Sequence, residues 1–325
     1  MSRPAPLPEP ARAILAHDRR ALARLITLVE SRDPSAIPSL RALYPRTGKA
    51  RVIGITGPLG VGKSSLLSAL LALLREAGHT VGIIAVDPSS PFSGGSVLGD
   101  RIRLDRRPGD DGVFIRSMAS RGHSGGVAAA TLEVARLLDA FGMDVVLIET
   151  VGSGQVDVEI RDIATTSVVV LVPHLGDEVQ TLKAGLFEIA DVFCVNKSDL
   201  PGAELAAKDL RDFVGLANTP EGWKPEIVTT SARDGTGVGA LWKAIEEHEA
   251  YLDRSGTRPA VERRRAASEL EGLVVERVSR EMRTSLGRDP ELARLLERVA
   301  RREIDPHTAA ARLGRARPTR RRPPR

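Results

Sequence analysis

The sequence predicts a doubly wound α/β fold, in which helices cover both faces of a mostly parallel sheet. Short apolar runs rich in β-branched residues recur at Val52–Ile55, Val81–Val86, Val145–Ile148, Val168–Val172 and Val192–Val195. Runs that are apolar throughout, rather than alternating with polar residues, are typical of parallel strands buried on both faces. Helix-like segments separate them, and one, Ser64–Ala77, is followed by Gly78, a common helix terminator. Ligands of such sheets bind at the carboxyl ends of the strands.

Helical segments precede and follow this region. Residues 11–30 carry apolar side chains at helical spacing, which predicts one or two lead-in helices. After about Tyr251 the strand pattern stops, and Val261–Leu286 and Pro290–Arg302 are predicted as charged helices with apolar stripes. Either the α/β domain or a second copy of the chain must cover these stripes. We therefore expect an N-terminal helical extension (1–48), the α/β domain (49–255), a C-terminal helical arm (256–311) and an Arg/Pro-rich disordered tail (312–325).

Charge and composition exclude several classes of function. The chain carries a formal charge of +5, but seven arginines and no acid lie between Arg312 and Arg325; without them 40 basic residues face 42 acidic ones. The body is therefore not expected to bind nucleic acid specifically, and aromatic residues, at 3%, are too few for base stacking. No apolar run approaches the roughly 18–20 residues of a membrane span, and the N-terminus lacks a secretion signal. A cytoplasmic location and no membrane partner are expected.

A phosphate-binding motif directly follows the first predicted strand. Residues 57–64 match G-x4-G-K-[ST] and open a helix. The residues of this motif are Gly57, Pro58, Leu59, Gly60, Val61, Gly62, Lys63 and Ser64. Glycines let successive backbone N–H groups face phosphate oxygens at a helix N-terminus, Lys63 reaches the β- and γ-phosphates, and Ser64 is placed to ligate Mg²⁺. The motif predicts a nucleoside triphosphate and leaves the base open.

A second motif predicts that this base is guanine. Asn196-Lys197-Ser198-Asp199 ends the strand Val192–Val195, and the Asp199 carboxylate can accept hydrogen bonds from guanine N1–H and its 2-amino group. Adenine offers no such pair of donors. Asn196 is expected to brace the loop and the Lys197 stem to lie along the base. A further loop, which contains Ser231 and Ala232, follows another strand and can offer a backbone N–H to guanine O6.

Acidic residues at other strand ends predict the Mg²⁺ site and the switches. Glu149 follows the strand Asp144–Ile148, where its carboxylate would act on the metal through water. Asp87 and Asp100 bound a glycine- and serine-rich loop and are candidates for the same water shell. Arg103 is the candidate for charge compensation, and the N–H of Gly152 is a candidate sensor of the γ-phosphate. The predicted metal residues are Ser64, Asp87, Asp100 and Glu149, and the predicted catalytic residues are Lys63, Glu149 and Asp100.

Longer stretches resemble a known family, the GTPases associated with methylmalonyl-CoA mutase (the MeaB/ArgK group). The resemblance rests on GITGPLGVGKSS, AVDPSSPFSGGSVLGDR, LIETVGSGQ and LGDEVQTLKAGLFEIADVFCVNKSD. It implies a P-loop GTPase domain with helical extensions, the C-terminal one dimerising. It adds Ser65 to the phosphate site, Arg233 to the guanine site, and Asp177, Gln180 and Lys183 to a partner-sensing switch.

The same resemblance implies a function. It is that of a chaperone which uses GTP to gate adenosylcobalamin loading and to protect an acyl-CoA mutase. GTP or GDP and Mg²⁺ are the expected ligands, without direct cobalamin binding. The mutase is the expected partner, its adenosyltransferase is a second candidate, and a homodimer is the expected assembly.

Two other functions stay open at the level of sequence. A metal-delivery GTPase for nickel or cobalt enzymes would share the Glu-x-x-Gly variant at residues 149–152, but it needs clustered Cys and His ligands. The chain has one cysteine, Cys194, and six dispersed histidines. A kinase linked to amino-acid transport would need a pocket for a phosphate acceptor, whereas these loops match base recognition and switching.

Overall fold

Strands and helices alternate along the computed structural model, which describes residues 6–88, 109–120, 126–150, 155–173, 188–216, 222–286 and 289–315. The strands are β1 Arg51–Thr56, β2 Val81–Pro88, β3 Val113–Ser120, β4 Val145–Thr150, β5 Thr166–Leu171, β6 Val192–Val195 and β7 Glu226–Thr229. The helices are α1 Glu9–Leu15, α2 Arg19–Glu30, α3 Ile37–Leu43, α4 Lys63–Glu76, α5 Gly126–Phe141, α6 Gln155–Ile163, α7 Ala203–Leu216, α8 Val238–Arg254, α9 Arg258–Leu286, α10 Pro290–Ala300 and α11 Pro306–Arg315.

The strands form one sheet in the order β3-β2-β4-β1-β5-β6-β7, and every pairing among the described strands is parallel. This confirms the predicted fold class. The first strand, β1, lies between β4 and β5 near the middle of the sheet. Strands β2, β3 and β4 lie on one side of β1, and strands β5, β6 and β7 lie on the other side. This reversal of strand order at β1 opens a crevice at the carboxyl end of the central strand, and this position favours a ligand site.

Strand β3 is absent from the expected apolar runs, and the structure adds it at an edge of the sheet. Its sequence turns polar at Arg116 and Ser117, so it lacks the continuous apolar character of the interior strands. Among the described strands it pairs with β2 alone. Arg116 forms an ion pair with Glu30 of α2. The residue that interrupts the apolar pattern of β3 therefore links this strand to the N-terminal helices.

Alternating side chains of the strands pack into two apolar layers, one on each face of the sheet. Val52 and Val146 belong to the layer with α2 and α5, whereas the adjacent residues Ile53 and Leu147 belong to the layer with α4 and α8. Successive side chains of a strand point to opposite faces of the sheet, so a strand that is apolar at every position presents apolar side chains to both faces. Both faces of the central strands are therefore buried.

The lead-in segment forms two helices, α1 and α2, with a break at His17, whose φ is +60°. Asp18 then caps α2 by accepting hydrogen bonds from the N–H groups of Arg20 and Ala21 at 2.8 and 3.0 Å. Leu22 and Ile26 of α2 are fully buried in the layer that contains α5. These helices therefore contribute to the core of the α/β unit.

Contacts divide the chain into two units, Met1–Leu270 and Glu271–Arg325. In the second unit, α10 begins at a cap in which Asp289 accepts from the Glu291 N–H at 2.9 Å, and α10 contacts α11. Leu292 and Ala309 are its buried apolar residues in the described part of the chain. Within the described ranges, we find no helix with the length and apolar character that a bilayer crossing requires.

Candidate functional site

The loop between β1 and α4 lies at the predicted crevice, and its conformation requires glycine. Gly57, Gly60 and Gly62 have φ values of +140°, +79° and +92°. A Cβ on Gly57 would lie 2.2 Å from the Val170 carbonyl oxygen of β5, and one on Gly62 would lie 2.6 Å from Asn196 Nδ2. Glycine therefore serves two purposes here: it permits left-handed backbone, and it lets the loop approach two neighbouring strands.

Lys63, the first residue of α4, turns back into this loop. It is 6% exposed, and its Nζ donates hydrogen bonds to the carbonyl oxygens of Gly57 and Pro58 at 2.6 and 2.9 Å. The amino end of α4 adds the partial positive charge of a helix N-terminus at the same place. A cation and a helix N-terminus together make an anion site suited to phosphate.

Ser64 and Glu149 meet next to this loop. Ser64 Oγ donates to Glu149 Oε1 at 2.6 Å. The contact follows from the sheet, because Glu149 of β4 pairs in register with Ile55 of β1, and β1 leads into the loop. A hydroxyl and a carboxylate oxygen are ligands that Mg²⁺ accepts, so the two residues fit the metal predicted from the sequence.

Asn196 connects the phosphate loop with the two loops predicted to hold guanine. It is 1% exposed, and its Nδ2 donates to the carbonyl oxygen of Val61 at 2.8 Å. Its Oδ1 accepts from Thr230 Oγ1 at 3.1 Å and from the Ala232 N–H at 3.2 Å. One amide side chain therefore sets the relative positions of three loops at the carboxyl ends of β1, β6 and β7.

The buried thiol of Cys194 extends this network. Cys194 Sγ lies 3.0 Å from Thr230 Oγ1, and burial raises the pKa of Cys194 to about 12. The thiol therefore stays protonated near neutral pH and can donate to Thr230, whose own proton goes to Asn196. The sequence motifs do not predict this role of Thr230; its position just before Ser231-Ala232 is the available signal.

Both motifs line a cavity of about 540 Å³. Its lining residues are Gly62, Ser64, Ser65, Ser68, Asn196, Lys197, Asp199, Leu200, Ala232 and Arg233. Lys197, at φ +60°, donates from Nζ to the Gly60 carbonyl oxygen at 2.8 Å across this site. The volume is in the range of small-ligand and cofactor sites. Ser68 and Leu200 were not predicted, although Ser68 lies one helical turn after Ser64 and Leu200 follows Asp199.

The remaining predicted residues fall into three groups. Ser231 is buried beside the cavity, and its N–H donates to the Thr236 carbonyl oxygen at 2.9 Å. Asp87 lies near the end of β2, but its side chain is not described. The third group lies outside the described residues: Asp100, Arg103, Gly152, Asp177, Gln180 and Lys183.

A doubly wound parallel sheet with a phosphate loop after β1 and an Asn-Lys-x-Asp loop after β6 defines a P-loop GTPase. The chain belongs to the family described as "Methylmalonyl Co-A mutase-associated GTPase MeaB", whose sequence profile matches residues 22–286. As a member of this family, the protein binds GTP and hydrolyses it to GDP and phosphate.

Individual relatives agree with this assignment. The chain is 47% identical over 296 residues to a putative GTPase of Pyrococcus abyssi, covering 90% of this chain and 91% of the relative. It is 33% identical over 317 residues to the GTPase ArgK of Escherichia coli, covering 95% and 96%. A solved structure described as a LAO/AO transport system kinase is 28% identical with a TM-score of 0.68, covering 97% and 98%.

Proposed function

We propose that this protein is a cytoplasmic chaperone that uses GTP to gate the loading of adenosylcobalamin onto a B12-dependent acyl-CoA mutase and to protect that mutase. The observation that carries the proposal is the family match over residues 22–286, because the family description names methylmalonyl-CoA mutase. The mutase is the partner, and its adenosyltransferase is a second candidate. Cobalamin is bound by these partners and not directly by this chain.

In this proposal the phosphate loop and its neighbours perform the hydrolysis. Residues 57–65 bind the phosphates, and Lys63 leaves the carbonyls of Gly57 and Pro58 to neutralise the β- and γ-phosphates. Ser64 and Glu149 hold Mg²⁺, together with Asp87 and Asp100. The metal supplies charge neutralisation at the transferred phosphoryl group.

The guanine base occupies the other end of the cavity. Asp199 accepts hydrogen bonds from N1–H and the 2-amino group, Lys197 lies along the base, and residues 231–233 face O6. The support is geometric: Asn196 holds the Val61 carbonyl and the Ala232 N–H on opposite sides of one amide group, at 2.8 and 3.2 Å.

Switching is assigned to residues outside the described ranges, on the sequence motifs that contain them. Gly152 senses the γ-phosphate, Arg103 compensates charge, and Asp177, Gln180 and Lys183 couple the nucleotide state to the partner. The residue after Gly152 is Ser153 rather than a water-orienting Gln, so we expect slow intrinsic hydrolysis that the partner accelerates.

The assembly proposed is a homodimer formed through the C-terminal helices. In the second unit, α9 exposes Leu273, Val274, Val275 and Val278 by 36 to 52%. An apolar stripe of this kind on a charged helix favours burial against another protein surface, and we assign a second copy of the chain as that surface.

The test is GTP turnover with and without a purified adenosylcobalamin-dependent acyl-CoA mutase from the same organism, with ATP as the control nucleotide. We expect a large rise in phosphate release with GTP and none with ATP. Turnover of GTP that no such mutase changes would leave the GTPase and remove the chaperone function.

A kinase function is the second candidate, because the solved relative at TM-score 0.68 is described as a transport system kinase. The ATP arm of the same experiment separates the two functions. A kinase would transfer the terminal phosphate of ATP to an acceptor protein, whereas the proposed chaperone releases inorganic phosphate from GTP.

A further inference from the structure

Two buried threonines join the carboxyl ends of β1 and β4. Thr150 Oγ1 donates a hydrogen bond to Thr56 Oγ1 at 2.8 Å, and the two residues are 1% and 0% exposed. The last pair in the register of β1 with β4 is Ile55 opposite Glu149. The threonines follow this pair, so their hydroxyl bond extends the connection between the two strands by one residue.

Each threonine is the immediate neighbour of a residue of the phosphate and metal site. Thr56 precedes Gly57, the first residue of the phosphate loop. Thr150 follows Glu149, whose carboxylate accepts from Ser64 Oγ at 2.6 Å. The hydroxyl bond therefore connects the strand that leads into the phosphate loop with the strand that carries the carboxylate.

This bond lies on the opposite face of the sheet from the contact between Ser64 and Glu149. Ile148 packs into the layer with α2 and α5, whereas Leu147 packs into the layer with α4 and α8. Because side chains alternate along a strand, Thr150 shares the face of Ile148 and Glu149 shares the face of Leu147. The threonines therefore act on the Ser64–Glu149 contact only through the backbone of the two strands.

A hydroxyl pair is an unusual choice for this position. The preceding residues of both strands are apolar, from Val52 to Ile55 and from Val145 to Ile148, and valine has the shape of threonine without its polar atom. Burying hydroxyls costs free energy that their bond offsets, whereas replacing both partners by apolar groups of the same shape is nearly neutral. Two valines would therefore satisfy the packing. The hydroxyl pair adds direction, because its bond forms only at a narrow range of distances and angles.

We propose that Thr56 and Thr150 are positioning residues for the Mg²⁺ site. Their bond fixes the spacing of the two strand ends and thereby places Glu149 within reach of Ser64 at the amino end of α4. Mg²⁺ requires near-ideal octahedral geometry, so a small displacement of either group weakens its binding. This inference rests on the role proposed above for Ser64 and Glu149 in holding Mg²⁺.

The test is the variant Thr150→Val, which keeps the shape of the side chain and removes its hydroxyl. The affinity of the full-length protein for a non-hydrolysable GTP analogue is measured as Mg²⁺ is titrated. We expect the Mg²⁺ concentration at half-saturation to rise about 10-fold, as loss of a supporting contact at a metal site does elsewhere. Affinity for the analogue in EDTA should stay within about two-fold, because the contacts proposed for Lys63 and the guanine loop do not depend on the metal.

Two further variants separate the hydrogen bond from packing. Thr150→Ser loses a methyl group but keeps the hydroxyl, so it should be less stable than Thr150→Val and yet retain the Mg²⁺ requirement of the unmodified protein. Thr166→Val is the matched control, because it removes another buried hydroxyl of the sheet, one that donates to Glu249 at the amino end of β5. It should lower the melting temperature without changing the Mg²⁺ requirement.

Thr56→Val and the double variant Thr56→Val/Thr150→Val complete a mutant cycle. The same bond is lost in all three valine variants, so each should raise the half-saturating Mg²⁺ concentration about 10-fold, rather than about 100-fold in the double variant. If Thr150→Val does not fold, the double variant replaces it, since it leaves neither hydroxyl of the pair buried.

A Mg²⁺ requirement of Thr150→Val within about two-fold of that of the unmodified protein overturns the inference, as does an equal rise in Thr150→Ser or a product of the single effects in the double variant. Nucleotide binding by the unmodified protein that does not depend on Mg²⁺ would remove the metal from the proposed function, and this inference with it. Loss of mutase stimulation in the experiment above would remove the chaperone function and leave this result intact, so the failures are distinguishable.

Discussion

The two ends of the sheet both bury polar side chains, but they pair them differently. At the carboxyl end, Lys63 and Asn196 bond carbonyl groups of a glycine loop beside a cavity of about 540 Å³. At the amino end, Thr165 and Thr166 both donate to Glu249 Oε1, at 2.6 and 2.7 Å. The first set faces space that a ligand can fill, whereas the second is enclosed by helix α8 and strand β5.

The amino-end network joins neighbouring elements side chain to side chain. His248 Nδ1 lies 2.8 Å from Thr166 Oγ1, and its Nε2 lies 3.4 Å from Asp191 Oδ1. Arg258 binds the second oxygen of Glu249 at 3.0 Å. The hydroxyl of Thr166, the ring of His248 and the carboxylate of Asp191 follow one another as in the catalytic triad of a serine hydrolase. Thr166 and His248 are at most 3% exposed, however, so no substrate can reach them.

This difference teaches that burial of polar groups does not by itself mark a ligand site. At the amino end the partners lie on rigid helices and strands, so the bonds stabilise the fold. At the carboxyl end the partners are carbonyl groups of the phosphate loop, those of Gly57, Pro58 and Val61, and this loop can exchange their bonds for those of a ligand. Four experiments test this contrast.

The largest effect is expected for Lys63→Ala at the carboxyl end. Removing the cation proposed to meet the phosphates should lower GTP turnover about 1,000-fold, as loss of a charged transition-state contact does elsewhere. Phosphate release measures this loss, and thermal unfolding should show a small change in stability. Lys208→Ala, at an exposed position of α7, is the control. Equal turnover in the two variants would contradict the assigned role.

The His248 network at the amino end of the sheet should control the stability of the protein in acid. Burial lowers the pKa of His248 from 6.5 to about 4, while Glu249 opposes and Arg258 adds to this shift. As pH falls, the unfolded state takes up the proton first, so the stabilisation is complete above pH 6.5 and is lost between pH 6.5 and 4. The loss corresponds to about 3 kcal/mol of unfolding free energy.

Urea unfolding at several pH values between 6.5 and 4 measures this loss of unfolding free energy. His248→Gln should remove it, leaving a shallower pH dependence due to the carboxylates. His307→Gln, at an exposed histidine of α11, should retain the pH dependence of the unmodified protein. A His248→Gln curve parallel to that of the unmodified protein would exclude this network as the source.

Asp199→Ala should reduce the preference for GTP over ATP about 100-fold, because the two hydrogen bonds proposed at the guanine edge are lost. Competition binding with both nucleotides measures the ratio. The matched variant Asp209→Ala, at an exposed position of α7, should keep the preference. Undiminished preference in Asp199→Ala would refute guanine recognition by this carboxylate.

The smallest effect separates two glycines of the phosphate loop. Both have positive φ, but a Cβ on Gly62 meets Asn196 Nδ2 at 2.6 Å, whereas a Cβ on Gly60 meets nothing within 4 Å. Each alanine variant suffers backbone strain, and Gly62→Ala also displaces Asn196. GDP titration should show affinity about 10-fold weaker for Gly62→Ala than for Gly60→Ala. Similar affinities would mean that GDP binding does not depend on the observed position of Asn196.

Much of the site could be predicted because its chemistry is local. The phosphate loop and the Asn-Lys-x-Asp loop each place several functional groups within a few consecutive residues, directly after a recognisable strand. Strand β3 could not be predicted in the same way, since Arg116 interrupts its apolar run and finds its partner Glu30 far away in the sequence.

The sequence by itself determined the alternation of helices with every strand except β3, the phosphate loop with its glycines, and the Asn-Lys-x-Asp loop. These depend on backbone conformation and side-chain chemistry over a few neighbouring positions. Only the tertiary structure decided that Ser64 meets Glu149, 85 residues away, and that Cys194 supports Asn196 through Thr230. The reason is physical: such contacts depend on which strands become neighbours in the sheet, and that order is set by packing of the whole chain.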